Sequence, residues 1–194
     1  VEIQKGQFAN SYSAINPAGD KVFFKQFLSP SVIMDWQPDF MQYQAKIKGQ
    51  IEASRAQMFC YEWLDQFIAN PLKKNGDPYL VRDKVTKEKI PAEEFYQTYE
   101  FLDAGSDMEK QLEKAREGDM SFEDRLINAK VMMNAIAALH EAGVVHADLK
   151  PDNLMLMVND DEFVDANYDL KLIDMDFSLQ MDKKAPWHDA PDMG

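Results

Sequence analysis

The first hundred residues alternate between two kinds of hydrophobic pattern. Residues 1–28 mix apolar and polar positions one by one, with a turn at PAGD, which predicts a meander of β-strands ending in the run KVFFKQFL. From residue 40 to residue 69 the apolar spacing becomes three, four and seven, which predicts a helix. Its stripe consists of Phe40, Ile47, Ile51, Met58 and Tyr61. Two further strands are predicted at YLVRDKVT and FYQTYEFL.

The second half is predicted to be mainly helical, with a small hairpin. A charged helix is expected over MEKQLEKARE, residues 108–117. The next helix opens with a capping box of Ser121 and Asp124 and ends at Gly143. Its apolar face should be formed by Leu126, Ala129, Met133, Ile136 and Leu139. Two apolar strands with polar interruptions follow, separated by an acidic turn, so that the fold class is α+β in two lobes.

Composition narrows the possible partners and the compartment. The chain has 194 residues, 45% of them hydrophobic, which is enough for one globular domain or two small lobes. Its net charge of −13 argues against nucleic acid and membrane surfaces as partners. Cys60 is the single cysteine, so no internal disulfide can form, and the sequence lacks a long uncharged apolar segment. A cytoplasmic location is therefore expected.

The two polar interruptions hold the candidate chemistry. In HADLKPDN, Pro151 prevents a regular helix, so a loop can direct Asp148, Lys150 and Asn153 towards one point. If the strands on either side of the acidic turn pair as a hairpin, Asn153 comes close to Asp174 of LIDMDF. An amide oxygen and a carboxylate suit Mg²⁺, which completes its shell with phosphate and water. Asp148 could then orient an incoming hydroxyl, with a lysine beside it to neutralise a phosphoryl group.

These motifs resemble those of the protein kinase family, and the resemblance extends over nearly the whole chain. HADLKPDN is similar to the catalytic loop H-R-D-x-K-x-x-N, and KLIDMD to the strand that carries the metal-binding tripeptide D-F-G. The resemblance implies a bilobal kinase-like fold of the Ser/Thr type, with a nucleotide-binding N-lobe over 1–102 and a partial C-lobe over 103–194. It gives Asp148 as catalytic base and Lys150 as the phosphate-neutralising lysine. Asn153 and Asp174 become metal ligands.

The resemblance also assigns the nucleotide site. KVFFKQF is similar to the third strand of the family, whose lysine, here Lys25, holds the α- and β-phosphates of ATP. The predicted helix is placed like the family's αC helix, and it offers Glu52 and Glu62 as the partner of that lysine. Glu52 is favoured, although Glu62 better matches the distance to the next strand. Backbone groups near Glu100 and Leu102 would meet the adenine, and Gly6 would belong to the glycine-rich loop.

Several positions depart from the family pattern. Of the glycine-rich loop G-x-G-x-x-G, the register Gln4, Gly6 and Ala9 keeps only the middle glycine. Ala147 replaces the arginine that usually pairs with a phosphorylated activation loop, and Asp176 replaces the last glycine of the metal tripeptide. The large helical C-terminal portion of the family is absent, so further domains of the same chain are expected beyond residue 194.

The expected function is therefore transfer of the γ-phosphate of ATP, with Mg²⁺, to Ser or Thr of a protein substrate. Two other hypotheses remain open. A pseudokinase would bind nucleotide without turnover, and the degraded glycine loop favours it. A small-molecule kinase of the aminoglycoside or choline phosphotransferase type is favoured by the acidic residue at position 176, whereas the retained LKP argues against it.

Overall fold

The computed structural model describes residues 2–5, 9–27, 37–83, 85–102, 105–107, 112–113, 116–158 and 168–189. It divides into two compact units, the first formed by Val1–Gln37 with Trp63–Phe101 and the second by Pro38–Glu62 with Leu102–Gly194. Most of the helix predicted from residue 40 thus falls in the second unit. The predicted division into lobes at residue 102 stays a prediction.

An antiparallel five-stranded sheet forms most of the first unit. The strands are β1 (Glu2–Lys5), β2 (Ala9–Ile15), β3 (Lys21–Phe27), β4 (Trp63–Ala69) and β7 (Glu94–Glu100), in the order β1-β2-β3-β7-β4. Side chains alternate between the two faces, and one face is buried. That face carries Phe27, Phe95 and Tyr99, each at most 2% exposed. The predicted strand meander over residues 1–28 is confirmed where the structure describes it.

A short hairpin accompanies this sheet. It pairs β5 (Leu80–Arg82) with β6 (Lys89–Pro91), and all six residues are exposed. The loop between them is held by the Asp83 carboxylate, which accepts hydrogen bonds from the backbone N–H groups of Val85 and Thr86. These bonds lower the pKa of Asp83 because they stabilise its charged form. The strand predicted at YLVRDKVT thus pairs locally and is not part of the main sheet.

The first helix of the second unit, α1, spans Gln37–Glu52, and the predicted continuation of this helix to residue 69 is wrong. A 3-10 turn follows at Arg55–Met58, where the Ser54 side chain accepts a hydrogen bond from the Ala56 N–H. Residues Trp63–Ala69 then form β4. The apolar spacing predicts too long a helix because the chain leaves the helix at residues 53–54. The segment WLDQFIA, which contains aromatic and β-branched residues, pairs with β7 as a strand.

The second helix, α2 (Phe122–Glu141), has the predicted ends. The Ser121 hydroxyl accepts a hydrogen bond from the Asp124 N–H at 3.1 Å, and Gly143 terminates the helix with a φ of 74°. The predicted apolar face is wrong in part, since Leu126 is 55% and Met133 is 63% exposed. Leu139 of that face is buried as predicted, and the other buried positions are Asn128, Ala135 and Ala138. The helix packs against two strands described below, Tyr168–Leu172 and Val144–Val145.

The predicted hairpin between the two polar interruptions is confirmed. Strand β10 (Leu154–Val158) pairs antiparallel with β11 (Tyr168–Leu172), and β8 (Gly105–Asp107) pairs with β10 on the other side. A two-residue strand, β9 (Val144–Val145), pairs with β12 (Leu179–Gln180). Leu156, Leu170 and Leu172 are at most 1% exposed and form the core of this unit. The helix predicted at 108–117 and the acidic turn lie largely outside the described residues.

The architecture is α+β, as the sequence predicts, with an antiparallel sheet in the N-terminal part and few helices. None of the helices in the described part of the chain is long and apolar enough to cross a membrane.

Candidate active site

The loop between β9 and β10 brings three of the predicted catalytic side chains together. The Asp148 carboxylate accepts a hydrogen bond from Lys150 Nζ at 3.1 Å and another from Asn153 Nδ2 at 3.0 Å. Asn153 Nδ2 also donates to the Asp148 backbone oxygen at 2.9 Å. Pro151 begins a 3-10 turn that ends at Asn153, which folds the amide back towards the aspartate. The convergence expected from HADLKPDN is therefore present.

The ends of the hairpin join this loop to the second interruption. Ile173 N–H donates to the Asn153 backbone oxygen at 3.0 Å, and Leu154 lies opposite Leu172 in the strand register. Asp174 is the next residue along, and its carboxylate is close enough to contribute to the raised pKa of Lys150 and to oppose the lowering of the His146 pKa by burial. The side chains of the first segment, His146, Asp148 and Lys150, thus lie close enough to Asp174 of the second for their charges to affect one another.

His146 forms hydrogen bonds to both segments. Its Nε2 donates to the Ile173 backbone oxygen at 2.9 Å, and its Nδ1 accepts from the Asp148 N–H at 3.3 Å. Only the neutral ring can donate at one nitrogen and accept at the other. Burial lowers the pKa of His146, against the opposing effects of Ile173, Asp174 and Asp148. We therefore assign His146 a structural part, as a neutral ring that fixes the loop.

Lys150 differs from His146 because it lies at the surface. Its side chain is 47% exposed, and that of Asp148 is 37% exposed. The hydrogen bond to Asp148 is the main reason that the pKa of Lys150 rises above its ordinary value, so the amine stays protonated. Both groups can thus be reached from solvent, as a carboxylate and an ammonium group must be if they are to meet a substrate.

A strained backbone conformation occurs in both sequence segments of the site, the loop before β10 and the turn after β11. Ala147 has a φ of 63° and Asp174 a φ of 59°, the left-handed region that disfavours side chains other than glycine. Ala147 precedes the aspartate of the loop, and Asp174 begins the 3-10 turn Met175–Phe177. Such conformations cost about 1–3 kcal/mol each and persist where surrounding contacts fix them.

A hydrogen bond from α1 holds the turn after Asp174, and the sequence analysis does not predict it. Gln44 is 1% exposed, and its amide donates to the Asp176 backbone oxygen at 2.8 Å. Gln44 lies four residues after Phe40 and three before Ile47, so it interrupts the apolar stripe of the helix with a polar group. That interruption was the available signal. Tyr43 and Gln50 on the same helix likewise bond Gln180.

Asp176, in place of the family's glycine, is buried at 8% exposure. It lies inside the turn that follows Asp174, with its backbone oxygen held by Gln44. Asp176 is therefore part of the packed turn, and its charge lies close to the predicted metal ligands along the chain.

A magnesium ion fits the donor set of this site. Asn153 uses its Nδ2 for both bonds to Asp148, which leaves its Oδ1 as the oxygen offered to a cation. Among the described residues, no three His, Cys, Asp or Glu side chains cluster as a metal site of their own. Mg²⁺ needs only one or two protein carboxylates when phosphates and waters complete its shell. Asn153 and Asp174 would hold such an ion.

The remaining predicted site residues are distributed over both units. Lys25 lies on β3 opposite Ser11 and Gln97, 7% exposed, and Glu100 ends β7. Leu102 begins the second stretch of the second unit, and Gly6 lies outside the described residues. The pairing of Lys25 with Glu52, and the nucleotide roles of all these residues, stay predictions.

Glu52 and Glu62 differ little in their surroundings. Both are exposed, and Glu52 is the last residue of α1. Its carboxylate lies 3.6 Å from Lys48 Nζ, one turn back on the helix. The choice between these two glutamates as the partner of the β3 lysine stays open.

Comparisons with known proteins bear on the family and the fold of the chain. The sequence profile of the protein kinase domain matches residues 71–191. A calcium/calmodulin-dependent protein kinase, cmkB of Emericella nidulans, is 35% identical over 69 residues, which are 36% of this chain and 16% of that kinase. Among solved structures, WaaP in complex with acyl carrier protein is similar with a TM-score of 0.59 at 13% identity, over 93% of this chain and 62% of that one.

The two named proteins contribute different information. The structural match is too distant in sequence to show more than a shared fold, and the chain spans less than two thirds of either protein. The profile covers more than half of the chain, including the loop around Asp148 and the turn after Asp174. On this evidence the chain belongs to the protein kinase family.

Proposed function

We propose that the chain carries the phosphotransfer centre of a Ser/Thr protein kinase that uses ATP and Mg²⁺. The observation that supports this most strongly is the Asp148 carboxylate, held by Lys150 and Asn153 within one loop and linked through Asn153 and Ile173 to Asp174. Such a group of one base, one cation and two hard oxygen ligands is what phosphoryl transfer requires.

Asp148 is the proposed base. Asn153 Nδ2 and Lys150 Nζ both donate to its Oδ2, which fixes the orientation of the carboxylate and leaves Oδ1 for the hydroxyl of an acceptor. Oδ1 orients that hydroxyl and accepts its proton as the phosphoryl group leaves the nucleotide. Because the carboxylate is partly exposed, a side chain of a second protein can reach it.

Lys150 is proposed to neutralise the transferred group. Its raised pKa keeps the ammonium charged, and its exposed position allows it to move from Asp148 towards a phosphoryl oxygen. When bound, Mg²⁺ would offset the charge of the nucleotide phosphates, with Asn153 and Asp174 as its protein ligands. Lys25 is proposed to hold the α- and β-phosphates.

The acceptor class follows from the position of Lys150. Lys150 stands two residues after the proposed base, as the corresponding lysine does in Ser/Thr-type members of the family. The similar protein cmkB is named as a protein kinase. We therefore propose Ser or Thr of a protein as the acceptor and the cytoplasm as the compartment.

A second candidate function is nucleotide binding without turnover. The burial of Asp176 favours it, because an additional carboxylate packed two residues after Asp174 raises the negative charge that the nucleotide must meet. This reading retains the fold and the metal ligands but removes the chemical step.

Phosphate transfer from γ-labelled ATP to a mixture of basic and acidic protein acceptors tests the proposal. We expect incorporation of label into Ser or Thr that Asp148→Asn reduces by at least about a thousandfold, since the base and its charge are lost together. Asp152→Asn is the matched control, an exposed aspartate in the same loop.

Each other outcome identifies a rival. Thermal stabilisation by ATP with Mg²⁺, but no label on any acceptor, would replace the proposal with nucleotide binding alone. Label on an aminoglycoside or on choline, and none on protein, would move the acceptor to the small-molecule class. Equal activity of Asp148→Asn and Asp152→Asn would contradict the assignment of the base.

A further inference from the structure

A row of aromatic rings crosses one face of the five-stranded sheet. Tyr12 on β2 stacks on Phe24 of β3 with ring centroids 5.0 Å apart, and Phe67 on β4 stacks on Tyr96 of β7 at 5.4 Å. Phe24 and Tyr96 join the two pairs at 6.2 Å. The strand register places all four on the same face, which we call the aromatic face.

This face is the more exposed side of the sheet. Phe67 is 41% exposed, and the other three rings are partly exposed. On the opposite face, Phe95 and Gln97 are fully buried and Lys25 is 7% exposed. A continuous apolar strip at a protein surface is a common mark of an interaction site.

The polar groups around the rings are mostly acidic. Among the described residues of these strands, the register places four carboxylates on the aromatic face and one lysine, Lys5, which lies on the outer strand 3.9 Å from Glu2. The carboxylates belong to Glu2, Asp65, Glu94 and Glu100. The strip is thus apolar in its centre and negative at its margins.

One of these carboxylates is held by hydrogen bonds from two side chains of the same face. Glu94 accepts a hydrogen bond from the Tyr96 hydroxyl at 2.6 Å and another from the Gln26 amide. Gln26 in turn accepts from the Tyr12 hydroxyl at 3.1 Å. This network joins strands β2, β3 and β7 and presents a negative charge beside the ring of Tyr96. Two donors leave the carboxylate further lone pairs for an incoming cation.

We propose that the aromatic face is a docking surface for a cationic, arginine-bearing segment of a partner protein. An arginine side chain has an apolar stem that can lie on the rings and a planar guanidinium that pairs with a carboxylate in two hydrogen bonds. The face offers both kinds of group side by side. A guanidinium can also stack on the exposed ring of Phe67.

Other occupants fit this surface less well. Nucleic acid, which also stacks on aromatic rings, is repelled by the four carboxylates and by the net charge of −13. A second copy of the chain brings the same negative charge. A purely apolar partner would bury Asp65 and Glu94 without a counter-charge, which is costly. A basic segment removes this cost.

Fluorescence anisotropy with a labelled peptide of alternating arginine and serine tests the proposal, in physiological salt and with the whole chain. We expect Phe67→Ala to weaken binding about fivefold through loss of the stacking surface. Ile68→Ala is the matched control, because Ile68 is 46% exposed on the same strand but faces the other side of the sheet. That variant should bind as the unchanged chain does.

A second variant and a map of the contact keep the test decisive. Asp65→Asn removes the charge of an exposed side chain but keeps an oxygen that can accept from the Gln66 N–H, as the carboxylate does, so it should weaken the arginine peptide and leave the melting temperature nearly unchanged. Amide chemical shifts should move on β2, β3, β4 and β7. Residues 102–194 hold 21 acidic and 9 basic residues, so a peptide attracted by charge alone would bind there.

Three results would overturn the proposal. They are shifts confined to residues 102–194, equal binding of the Phe67→Ala and Ile68→Ala variants, and an arginine peptide that binds no better than one of alternating glutamate and serine. Phosphate transfer is measured separately, so failure of this proposal leaves the catalytic one standing.

Discussion

Substitution of Gln44 tests whether α1 holds the turn after Asp174 in place. The Gln44 amide donates to the Asp176 backbone oxygen at 2.8 Å, and the side chain is 1% exposed. Gln44→Met keeps nearly the same volume but removes the donor, so the carbonyl loses a buried hydrogen bond. That loss costs about 1–3 kcal/mol. Gln44→Ala adds a cavity, and we expect about 2–4 kcal/mol in total.

Urea unfolding followed by circular dichroism measures these differences. Gln42→Ala is the matched control, an exposed glutamine two residues earlier on the same helix, and it should change the unfolding free energy by less than about 0.5 kcal/mol. If Gln44→Met is as stable as the unchanged chain, the hydrogen bond contributes nothing. Equal losses of stability for Gln42→Ala and Gln44→Ala would contradict a specific contribution of the buried Gln44 side chain.

Three further outcomes follow from the packing and the pKa shifts. Burial lowers the pKa of His146 from its ordinary 6.5, so the unfolded chain binds a proton more readily. Stability should fall as the pH drops below 6.5, and in urea titrations His146→Asn should reduce that fall more than the exposed His140→Asn does. Burial raises the pKa of Cys60 to about 12, so Ellman's reagent should react with this thiol only after unfolding. Ser121→Ala removes the cap of α2 and should cost about 1 kcal/mol in a thermal melt, with no change in β-sheet signal.

The loop between β9 and β10 could be predicted because the side chains that meet in it are close in sequence. Asp148, Lys150 and Asn153 lie within six consecutive residues, and Pro151 restricts how they can fold. The hairpin followed from two apolar runs on either side of an acidic turn. In the structure, the antiparallel pairing of β10 with β11 places residue 153 beside residue 173.

The errors arose where long-range packing overrode local spacing. WLDQFIA fits a helical stripe as well as a strand, and only pairing with β7 decides between them. On α2 the larger apolar residues Leu126 and Met133 are exposed, while Ala135 and Ala138 are buried. Hydrophobicity alone could not distinguish these two faces.

Gln44 shows a third limit of sequence reasoning. A glutamine on an apolar stripe indicates a buried hydrogen bond, but its partner lies 132 positions further along the chain. The resemblance of this helix to αC points to its glutamates and gives no reason to single out Gln44. The contact with Asp176 required the folded structure.

Binding of Mn²⁺ as a probe for Mg²⁺, followed by electron paramagnetic resonance in the presence of ATP, tests most directly whether the two sequence segments form one centre. Asn153→Ala and Asp174→Ala should each weaken metal binding by at least about tenfold, because each removes a proposed ligand. Asp182→Ala, an exposed aspartate eight residues after Asp174, should leave binding unchanged. Equal metal affinity in all three variants would contradict the account.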